Sequence, residues 1–509
     1  MIRVALALLL ALAPALPGFA QERPAQERPA RAGRQLPPDA VTSHSLDLPG
    51  RTLRFTARAG SIALTDGQGA VQAEIGFVAY TLDGAEARAR PVTFAVNGGP
   101  GAASAYLHLG VLGPWRLPLD GPSISPSAAP TLVPNAETWL DFTDLVFIDP
   151  VNTGYSRAAG SGEEVAGRYY TVEGDVGALA EVVPRWLKDN DRLASPKFLV
   201  GESYGGFRGP ALAAKLQSEH GIGLSGLVLL SPVLDFAWIS QHRHNPWVHV
   251  ARLPSLAAAA MEAGEQHGAP LTRERLAEAE TYAAGEYLAD LTRGLRDPAA
   301  TERASGRVAA LTGLDPALVR RLADRLDLAT VQRELERGTG RIVSAYDTAV
   351  GGYDPDPTAP TPRFEDAVLT ASLAPLTTAA IDLLQRRLGW RVEGRYHLLN
   401  GAVSGAWRWG RGRVQPEVLA ELRQAVALDG RMRVLVAHGF TDLVTPYFAS
   451  DLLLRQLPEY GPERRIDLKV YPGGHMFYSR DASRSAFRDD AAELIRLATL
   501  RRENGGAAP

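Results

Sequence analysis

Six short, mainly apolar segments recur along this sequence, the first four of them almost continuously apolar, and long helix-forming stretches separate most of them. They are PVTFAV (91–96), DLVFID (144–149), KFLVG (197–201), LSGLVLL (224–230), MRVLVAHG (432–439) and RIDLKVY (465–471). Strands buried on both faces of a parallel sheet have this composition. Residues 51–81 differ, because RTLRFTA, SIALTD and VQAEIGFVAYTL alternate apolar and polar residues between glycine-containing turns, which is typical of antiparallel edge strands. The pattern predicts an α/β fold with a mostly parallel central sheet.

The strand signal nearly vanishes between residues 236 and 400. This stretch holds strong helix formers, among them DPALVRRLADRL (315–326), in which Asp315 is placed to cap a helix and Pro316 to begin it. We therefore predict an α/β core formed by residues 41–235 and 401–503. A helical cap of residues 236–400 would interrupt this core and shape a substrate pocket. Residues 504–509 are expected to be a disordered tail.

The N-terminal residues 1–20 have the pattern of a cleavable export signal. Arg3 precedes an apolar run from Val4 to Leu16, and Gly18-Phe19-Ala20 supplies a small-x-small ending. An uncleaved membrane anchor is the alternative, which the short run and its prolines disfavour. Residues 21–40 repeat QERPA and are expected to be a flexible linker. No later segment looks long and apolar enough to span a bilayer, so we expect an exported protein, periplasmic or extracellular, with no membrane span in the mature chain.

Charge and composition exclude several classes of partner. The 54 basic and 57 acidic residues give a net charge of -3, which provides no basic field for nucleic acid. There is no cysteine, so disulfides, thiolate metal sites and cysteine nucleophiles are excluded. Asp354 and Asp356 in YDPDPTAP could suggest a metal site, but a proline-rich exposed turn is favoured. We expect no metal and no cofactor.

The segment FLVGESYGG (198–206) predicts a nucleophilic serine. A predicted strand runs into Gly201-Glu202-Ser203-Tyr204-Gly205, and a helix is expected from Gly209. A serine on so tight a strand-to-helix turn needs glycine two residues to either side, because Cβ atoms there would clash. The alternative is a glycine-rich turn with a structural serine.

A serine nucleophile needs a base, and the base needs an acid to orient it. His475 lies in YPGGHMFY, after the strand IDLKVY and before the last predicted helix, whereas His438 lies inside a strand end and is expected to pack there. Asp442, in HGFTDLVTP, follows the strand MRVLVA and is the favoured acid. Asp235 is the rival acid, and a lone loop aspartate can also simply stabilise its own turn.

An acyl-transfer enzyme also needs N–H donors for its oxyanion. Tyr204, directly after the serine, would supply one. The second is expected from Asn97-Gly98-Gly99-Pro100-Gly101, which follows the strand VTFAV. This loop does not match a phosphate loop, because no Gly-Lys-Ser/Thr follows it.

Five motifs together resemble the serine carboxypeptidase family, peptidase family S10. They are NGGPGAAS (97–104), FIDPVNTGYS (147–156), GESYGG (201–206), HGFTDLVTP (438–446) and YPGGHMFY (471–478). The resemblance implies an α/β-hydrolase fold and a catalytic triad of Ser203, Asp442 and His475. It implies an oxyanion hole made by the N–H groups of Gly99 and Tyr204. It also implies that Asn97, Gly98 and Glu202 bind the substrate's C-terminal carboxylate.

The chain departs from the family after NGGPG, where Cys-Ser is usual and Ala102 and Ala103 stand here. The resemblance implies an enzyme that hydrolyses the last peptide bond of peptides with a free C-terminus, through an acyl-enzyme intermediate. One alternative is an esterase or acyltransferase of the same fold. Another is a binding protein that has lost catalysis, which an intact set of three catalytic residues disfavours.

Overall fold

The computed structural model describes residues 35–119, 125–127, 129–240, 242–264, 270–359, 365–410 and 415–500. The predicted export signal, residues 21–34 of the predicted linker and the predicted tail lie outside these residues. The end of the linker needs correction. Leu36 is buried, and the N–H groups of Gln35 and Leu36 donate to the Glu74 carboxylate at 2.5 and 3.1 Å. The chain is thus packed from residue 35 onward, because these contacts tie it to the sheet.

Ten strands of the described residues form one sheet. The described residues form fourteen strands in all, which are β1 (Ala40–Leu48), β2 (Arg51–Thr65), β3 (Val71–Leu82), β4 (Val92–Val96), β5 (Trp115–Arg116), β6 (Val133–Pro134), β7 (Asp144–Ile148), β8 (Arg157–Ala158), β9 (Lys197–Glu202), β10 (Gly226–Leu230), β11 (Arg341–Val343), β12 (Gly351–Tyr353), β13 (Arg433–Gly439) and β14 (Ile466–Tyr471). β5 pairs with β6 and β11 with β12, and the other ten form the large sheet. Their order across the sheet is β1-β2-β3-β7-β4-β9-β10-β13-β14, and β8 pairs with β3. The four strands at the β1 edge pair antiparallel, and the strands from β7 to β14 are parallel.

One of the predicted edge turns is wrong. RTLRFTA and SIALTD form a single strand, β2, and Gly60 lies inside it opposite Phe77. The glycine serves a close approach instead of a turn, since a Cβ at Gly60 would stand 2.0 Å from the Asp39 carboxylate. That carboxylate accepts the N–H of Ser61 at 3.2 Å.

Helices cover both faces of the sheet. They are α1 (Ala105–Leu107), α2 (Gly162–Tyr169), α3 (Val172–Asp189), α4 (Tyr204–His220), α5 (Pro246–Ala263), α6 (Arg273–Tyr282), α7 (Leu288–Arg293), α8 (Pro298–Thr312), α9 (Pro316–Arg321), α10 (Leu328–Glu334), α11 (Ala367–Asp382), α12 (Gly401–Gly405), α13 (Leu419–Leu428), α14 (Tyr447–Leu454) and α15 (Asp481–Thr499). Helices α3, α4 and α13 share one buried apolar cluster with the strands, and α11 and α15 share the other. The strand order and the covered faces confirm the predicted α/β-hydrolase fold.

Two predicted helices differ from the observed ones. Helix α4 begins at Tyr204, directly after the serine, and not at Gly209. Helix α9 begins as predicted, with the Asp315 carboxylate accepting the N–H groups of Ala317 and Leu318 at 2.6 and 3.0 Å. It ends at Arg321 because Ala323 and Asp324 have φ angles of 50° and 64°, which a helix cannot contain.

The stretch 236–400 contributes α5–α11 and the small β11–β12 hairpin. Helices of its first part form a third apolar cluster, which includes Phe440 and Leu443 on either side of Asp442. Helix α11 packs instead against the sheet.

Among the described residues, Ala367–Arg387 is long and apolar enough to cross a membrane, so the prediction that no later segment would pass this test is wrong. Core helices pass it too, and Leu376, Ala379 and Leu383 of this segment lie fully buried in the core.

Candidate active site

Ser203 lies on the turn between β9 and α4, with φ 60° and ψ −122°. The flanking glycines are required by space. A Cβ at Gly201 would stand 2.0 Å from the Gly205 carbonyl oxygen, and a Cβ at Gly205 would stand 2.4 Å from that of Val96. This left-handed backbone presents the serine at the carboxyl end of the parallel strands, where α/β folds hold their ligands.

His475 and Asp442 are in contact on neighbouring loops after β14 and β13. His475 Nδ1 lies 2.7 Å from Asp442 Oδ2, and both side chains are buried. Asp442 Oδ1 accepts the N–H groups of Val444 and Thr445 at 2.8 and 2.9 Å. The aspartate therefore stabilises its own turn and holds the histidine as well.

Ser203 and His475 line one cavity of about 80 Å³. Their side chains are not joined by a hydrogen bond within the described residues. Catalytic hydrogen bonds commonly tighten only when substrate binds. The other lining residues include Asn97, Gly98, Gly99 and Glu202 from the predicted site, and Ala102, Tyr106, Tyr346, Leu369, Leu399 and Met476.

The imidazole of His475 is tuned by burial and by carboxylates. Burial lowers its pKa, but the charge and hydrogen bond of Asp442 and the charge of Glu202 outweigh this effect. The pKa of His475 therefore lies above its ordinary value. A histidine tuned in this way holds a proton more strongly once it has accepted one.

Glu202 is a buried carboxyl group beside the serine. Asn97 Nδ2 donates to its Oε2 in a short hydrogen bond, and the Tyr478 hydroxyl donates to its Oε1 at 2.8 Å. Burial raises the pKa of Glu202. The His475 charge and these hydrogen bonds lower the pKa by less than burial raises it, and the Asp442 charge adds to the rise. The Asn97 carbonyl oxygen Oδ1 is occupied by the N–H of Leu107 at 3.0 Å, so the orientation of this amide is fixed.

Of the two predicted oxyanion donors, Gly99 lines the cavity, and Tyr204 directly follows Ser203, which also lines it. Tyr204 is the first residue of α4, where an N–H has no partner within the helix. Gly98 passes close to the turn, since a Cβ there would stand 2.6 Å from the Tyr204 nitrogen. Gly99 has a φ angle of 100°, which favours glycine and turns its backbone at the cavity wall.

Other candidate residues are used elsewhere. Asp235 caps a short turn by accepting the N–H of Ala237 at 2.8 Å. His438 is buried in β13, with Nε2 2.9 Å from Ser450 Oγ. Asp354 is buried against Arg333 at 3.0 Å, so this part of the predicted exposed turn is wrong. In the described part of the chain, no group of three or more His, Asp or Glu residues is placed to hold a metal ion.

Sequence reasoning missed three supports of the site. Tyr478 bonds Glu202, and Thr445 Oγ1 lies 2.7 Å from Asp442 Oδ2. Both belong to quoted motifs, so their position beside His475 and Asp442 was a usable signal. The third support is residues 345–346 of the insertion, whose backbone carbonyls accept the N–H groups of Leu443 and His475. Backbone acceptors leave no mark in the sequence.

The sequence model of the serine carboxypeptidase family matches residues 72–275. Over this segment the chain is similar to the serine carboxypeptidase family. The predicted family resemblance is thereby confirmed. The matched residues carry three of the five motifs, including Asn97 and Ser203, while Asp442 and His475 lie beyond them.

Individual relatives match about 30% of the chain. The pheromone-processing carboxypeptidase KEX1 of Yarrowia lipolytica is 31% identical over 150 residues, which are 29% of this chain and 22% of that protein. Serine carboxypeptidase-like 29 of Arabidopsis thaliana is 28% identical over 159 residues, 30% of this chain and 31% of that protein. The similarity thus spans less than a third of either relative.

Among solved structures, a proline iminopeptidase of Mycobacterium smegmatis is 15% identical, with a TM-score of 0.39, over 86% of this chain and 99% of that one. This TM-score and identity are too low to assign the fold, which follows from the strand order instead.

Proposed function

We propose that this protein is an exported serine carboxypeptidase that removes the last residue of peptides with a free C-terminus. Ser203 is the nucleophile, His475 the base and Asp442 the acid that orients it. The N–H groups of Gly99 and Tyr204 form the oxyanion hole. Asn97, Gly98 and Glu202 receive the substrate's carboxylate. Neither a metal nor a cofactor takes part in this proposal.

The reaction follows from these roles. Ser203 Oγ attacks the carbonyl carbon of the last peptide bond while His475 Nε2 accepts the hydroxyl proton. The oxyanion of the tetrahedral intermediate receives hydrogen bonds from the two N–H groups. His475 then donates its proton to the leaving amine, and the C–N bond breaks. Water attacks the acyl-enzyme in the same way, releasing the shortened peptide and returning the proton to Ser203.

The observation that carries the proposal is the buried Glu202 carboxyl beside the serine. A substrate carboxylate and an ionised Glu202 would repel each other strongly in a dry pocket. Because burial raises the pKa of Glu202, this group can hold the proton that the pair needs. A pocket built around a carboxyl group held by Asn97 and Tyr478 suits a free C-terminus better than a neutral ester.

A serine esterase or acyltransferase of the same fold is the second candidate, because Ser203, His475 and Asp442 would serve it equally well. A binding protein without catalysis is disfavoured by the 2.7 Å contact of His475 with Asp442, which ligand binding does not need. Export is proposed from residues 1–20 alone. It predicts that the N-terminus of the protein recovered from outside the cytoplasm begins near residue 21.

The proposed function is tested with blocked dipeptides that differ only in a free or an amidated C-terminus. Mass spectrometry of the products should show cleavage of the free acids and slow or no cleavage of the amides. Equal rates on both would show that no C-terminal carboxylate is recognised. Cleavage of matched methyl esters alone would favour the esterase.

A further inference from the structure

Residues 344–347, named the strap here, follow β11 in the insertion and contact both catalytic loops. The Ala345 carbonyl oxygen accepts the N–H of Leu443, the residue after Asp442, at 3.0 Å. The Tyr346 carbonyl oxygen accepts the N–H of His475 itself at 2.5 Å. One short segment therefore fixes the backbone at the acid and at the base.

Asp347 joins the strap to the same loops through its side chain. It accepts a hydrogen bond from Thr441 Oγ1 at 3.2 Å, directly before Asp442. It also pairs with Arg480, whose Nη2 lies 3.0 and 3.2 Å from its two carboxylate oxygens, five residues after His475. Arg480 forms a second ion pair with Glu262 of α5. Asp347 is buried, so its own carboxylate contacts are largely shielded from solvent.

The strap is held from its other side by Asp366, the residue that caps α11. The Ser344 hydroxyl donates to Asp366 Oδ1 at 2.6 Å, and the Ala345 N–H donates to Oδ2 at 2.8 Å. Ser344 Oγ in turn accepts the N–H of Tyr346 at 2.9 Å. Asp366 thus ties the strap to the start of α11, in addition to the strap's contacts with the catalytic loops.

The approach of the strap to His475 leaves no space for a side chain at the preceding residue. A Cβ at Gly474 would stand 1.9 Å from the Tyr346 carbonyl oxygen and 2.5 Å from the Asp347 Cα. The Tyr346 ring meets the His475 imidazole edge-on, with ring centres 5.1 Å apart and planes at 84°. Both contacts restrict where the imidazole can lie.

We propose that the strap is a positioning element for the acid and base, and that Asp347 is its positioning residue. This proposal rests on the proposed triad. Asp347 reaches neither substrate nor the reacting atoms, and it acts by holding the loops that carry Asp442 and His475. Displacement of a catalytic group by about 1 Å can cost roughly 10²-fold in rate, so loss of this support should be measurable.

To separate positioning of the catalytic loops from a merely structural role, Asp347→Ala is compared with a matched control, Asp354→Ala. Asp354 is also an insertion carboxylate paired with an arginine, Arg333, and its side chain is only 5% exposed. Among the described residues, its side-chain hydrogen bond and ion pair stay within the insertion. Four quantities are measured on the whole protein: kcat, KM, the melting temperature, and the rate at which a serine-directed organophosphorus reagent labels Ser203. The labelling rate depends on the base and not on peptide binding.

We expect Asp347→Ala to lower kcat and the labelling rate by about 10- to 100-fold, with KM within about twofold. Asp354→Ala should lower the melting temperature about as much as Asp347→Ala does. It should leave kcat and the labelling rate within about twofold of the wild type. Equal effects of the two variants on kcat, or a wild-type labelling rate in folded Asp347→Ala, would overturn the proposal.

If Asp347→Ala does not fold, Asp347→Asn tests the same positioning role. Asparagine keeps the volume and one oxygen for Thr441 but loses the charge that pairs with Arg480. The values of kcat and of the labelling rate should fall roughly threefold or more, because charge-assisted hydrogen bonds are stronger than hydrogen bonds between neutral groups. Wild-type rates in a folded Asn variant would overturn the proposal. Failure of the triad itself shows differently, as wild-type protein that labels at a residue other than Ser203.

Discussion

The sheet edge and the insertion build the same site by different means. The loops after β4, β9, β13 and β14 supply the side chains of the proposed reaction, namely Asn97, Ser203, Asp442 and His475. The insertion supplies backbone carbonyls at 345 and 346, the buried charge of Asp347, and the apolar wall at Leu369 and Leu399. Chemistry and support are therefore divided between two parts of the chain that are far apart in sequence.

This division explains why only one of the two parts is recognisable in the sequence. A nucleophile or base must be one residue type in a fixed local turn, and such turns impose glycines at set distances. A supporting carbonyl can come from any residue. If the division is real, substitutions at the sheet edge should abolish the reaction, and substitutions in the insertion should only weaken it.

The largest effect is expected at Ser203. Ser203→Ala removes the attacking oxygen and should lower kcat by about 10⁶-fold, as in other enzymes whose triad acts as a unit. The fold should be unchanged, and an organophosphorus reagent should add a single mass increment to the wild-type peptide containing Ser203 and none to the variant. Labelling at another serine would show that Ser203 is not the nucleophile.

Asp442→Asn should have the next largest effect. The change removes the charge that stabilises protonated His475 and should lower kcat by about 10⁴-fold. Asp235→Asn is the matched control, because Asp235 only caps a turn, and it should change kcat little. If the two effects were reversed, the acid would lie after β10 and not after β13.

Most of the fold was predictable, because its signals are local. The six segments lie within two residues of β4, β7, β9, β10, β13 and β14. The first five are apolar because these strands are buried on both faces, whereas β14, at the sheet edge, alternates exposed and partly buried residues. The misread turn at Gly60 shows the limit. A glycine that makes room for Asp39, distant in sequence, is indistinguishable in sequence from one that turns the chain.

The site divides in the same way. His475 and Asp442 were predictable from their place after strands, and the structure brings them to 2.7 Å. Asp347 and Tyr346 were not, because their contacts with residues 441 and 475 depend on tertiary packing of a segment with no local pattern.

The pH dependence of hydrolysis separates the two ionisable groups of the sheet edge. His475 must be neutral to act as base, and Asp442, Glu202 and Asp366 raise its pKa over the lowering effect of burial. Ester hydrolysis should therefore rise with pH through a midpoint above about 6.5. Glu202 must hold a proton for a peptide carboxylate to bind, so the KM for peptides should increase as pH rises above its raised pKa.

Glu202→Gln is the decisive variant for this pair of trends. It removes the charge and keeps a donor, so the peptide KM should lose its rise at higher pH. Because the Glu202 charge is one of the effects that raise the pKa of His475, the midpoint of ester hydrolysis should move to lower pH while the profile keeps its rising direction. Kinetics on a matched peptide and methyl ester between about pH 4 and 8 measure both trends. Parallel wild-type profiles that the Gln variant leaves unchanged would mean that Glu202 does not read a C-terminus.

The smallest effect is expected at the wall that the insertion contributes. Leu369 of α11 lines the cavity together with Leu399, Ala102 and Met476, which gives the residue beside the reacting bond apolar surroundings. The wild type should therefore prefer apolar over charged C-terminal residues. Leu369→Ala removes part of this surface and should lower kcat/KM for a peptide ending in leucine by about 10-fold, the order of effect of small changes in an apolar pocket.

A matched control lies one turn along the same helix. Leu373 is 39% exposed, so Leu373→Ala should leave kcat/KM unchanged while altering the helix to a similar degree. A methyl ester with the same acyl part separates the two sides of the bond, because it lacks the C-terminal residue and should be unaffected by Leu369→Ala. Equal losses on peptide and ester would place Leu369 beside the acyl part. Equal losses in both leucine variants would mean that α11 contributes only stability, and the insertion would then shape the site through the strap alone.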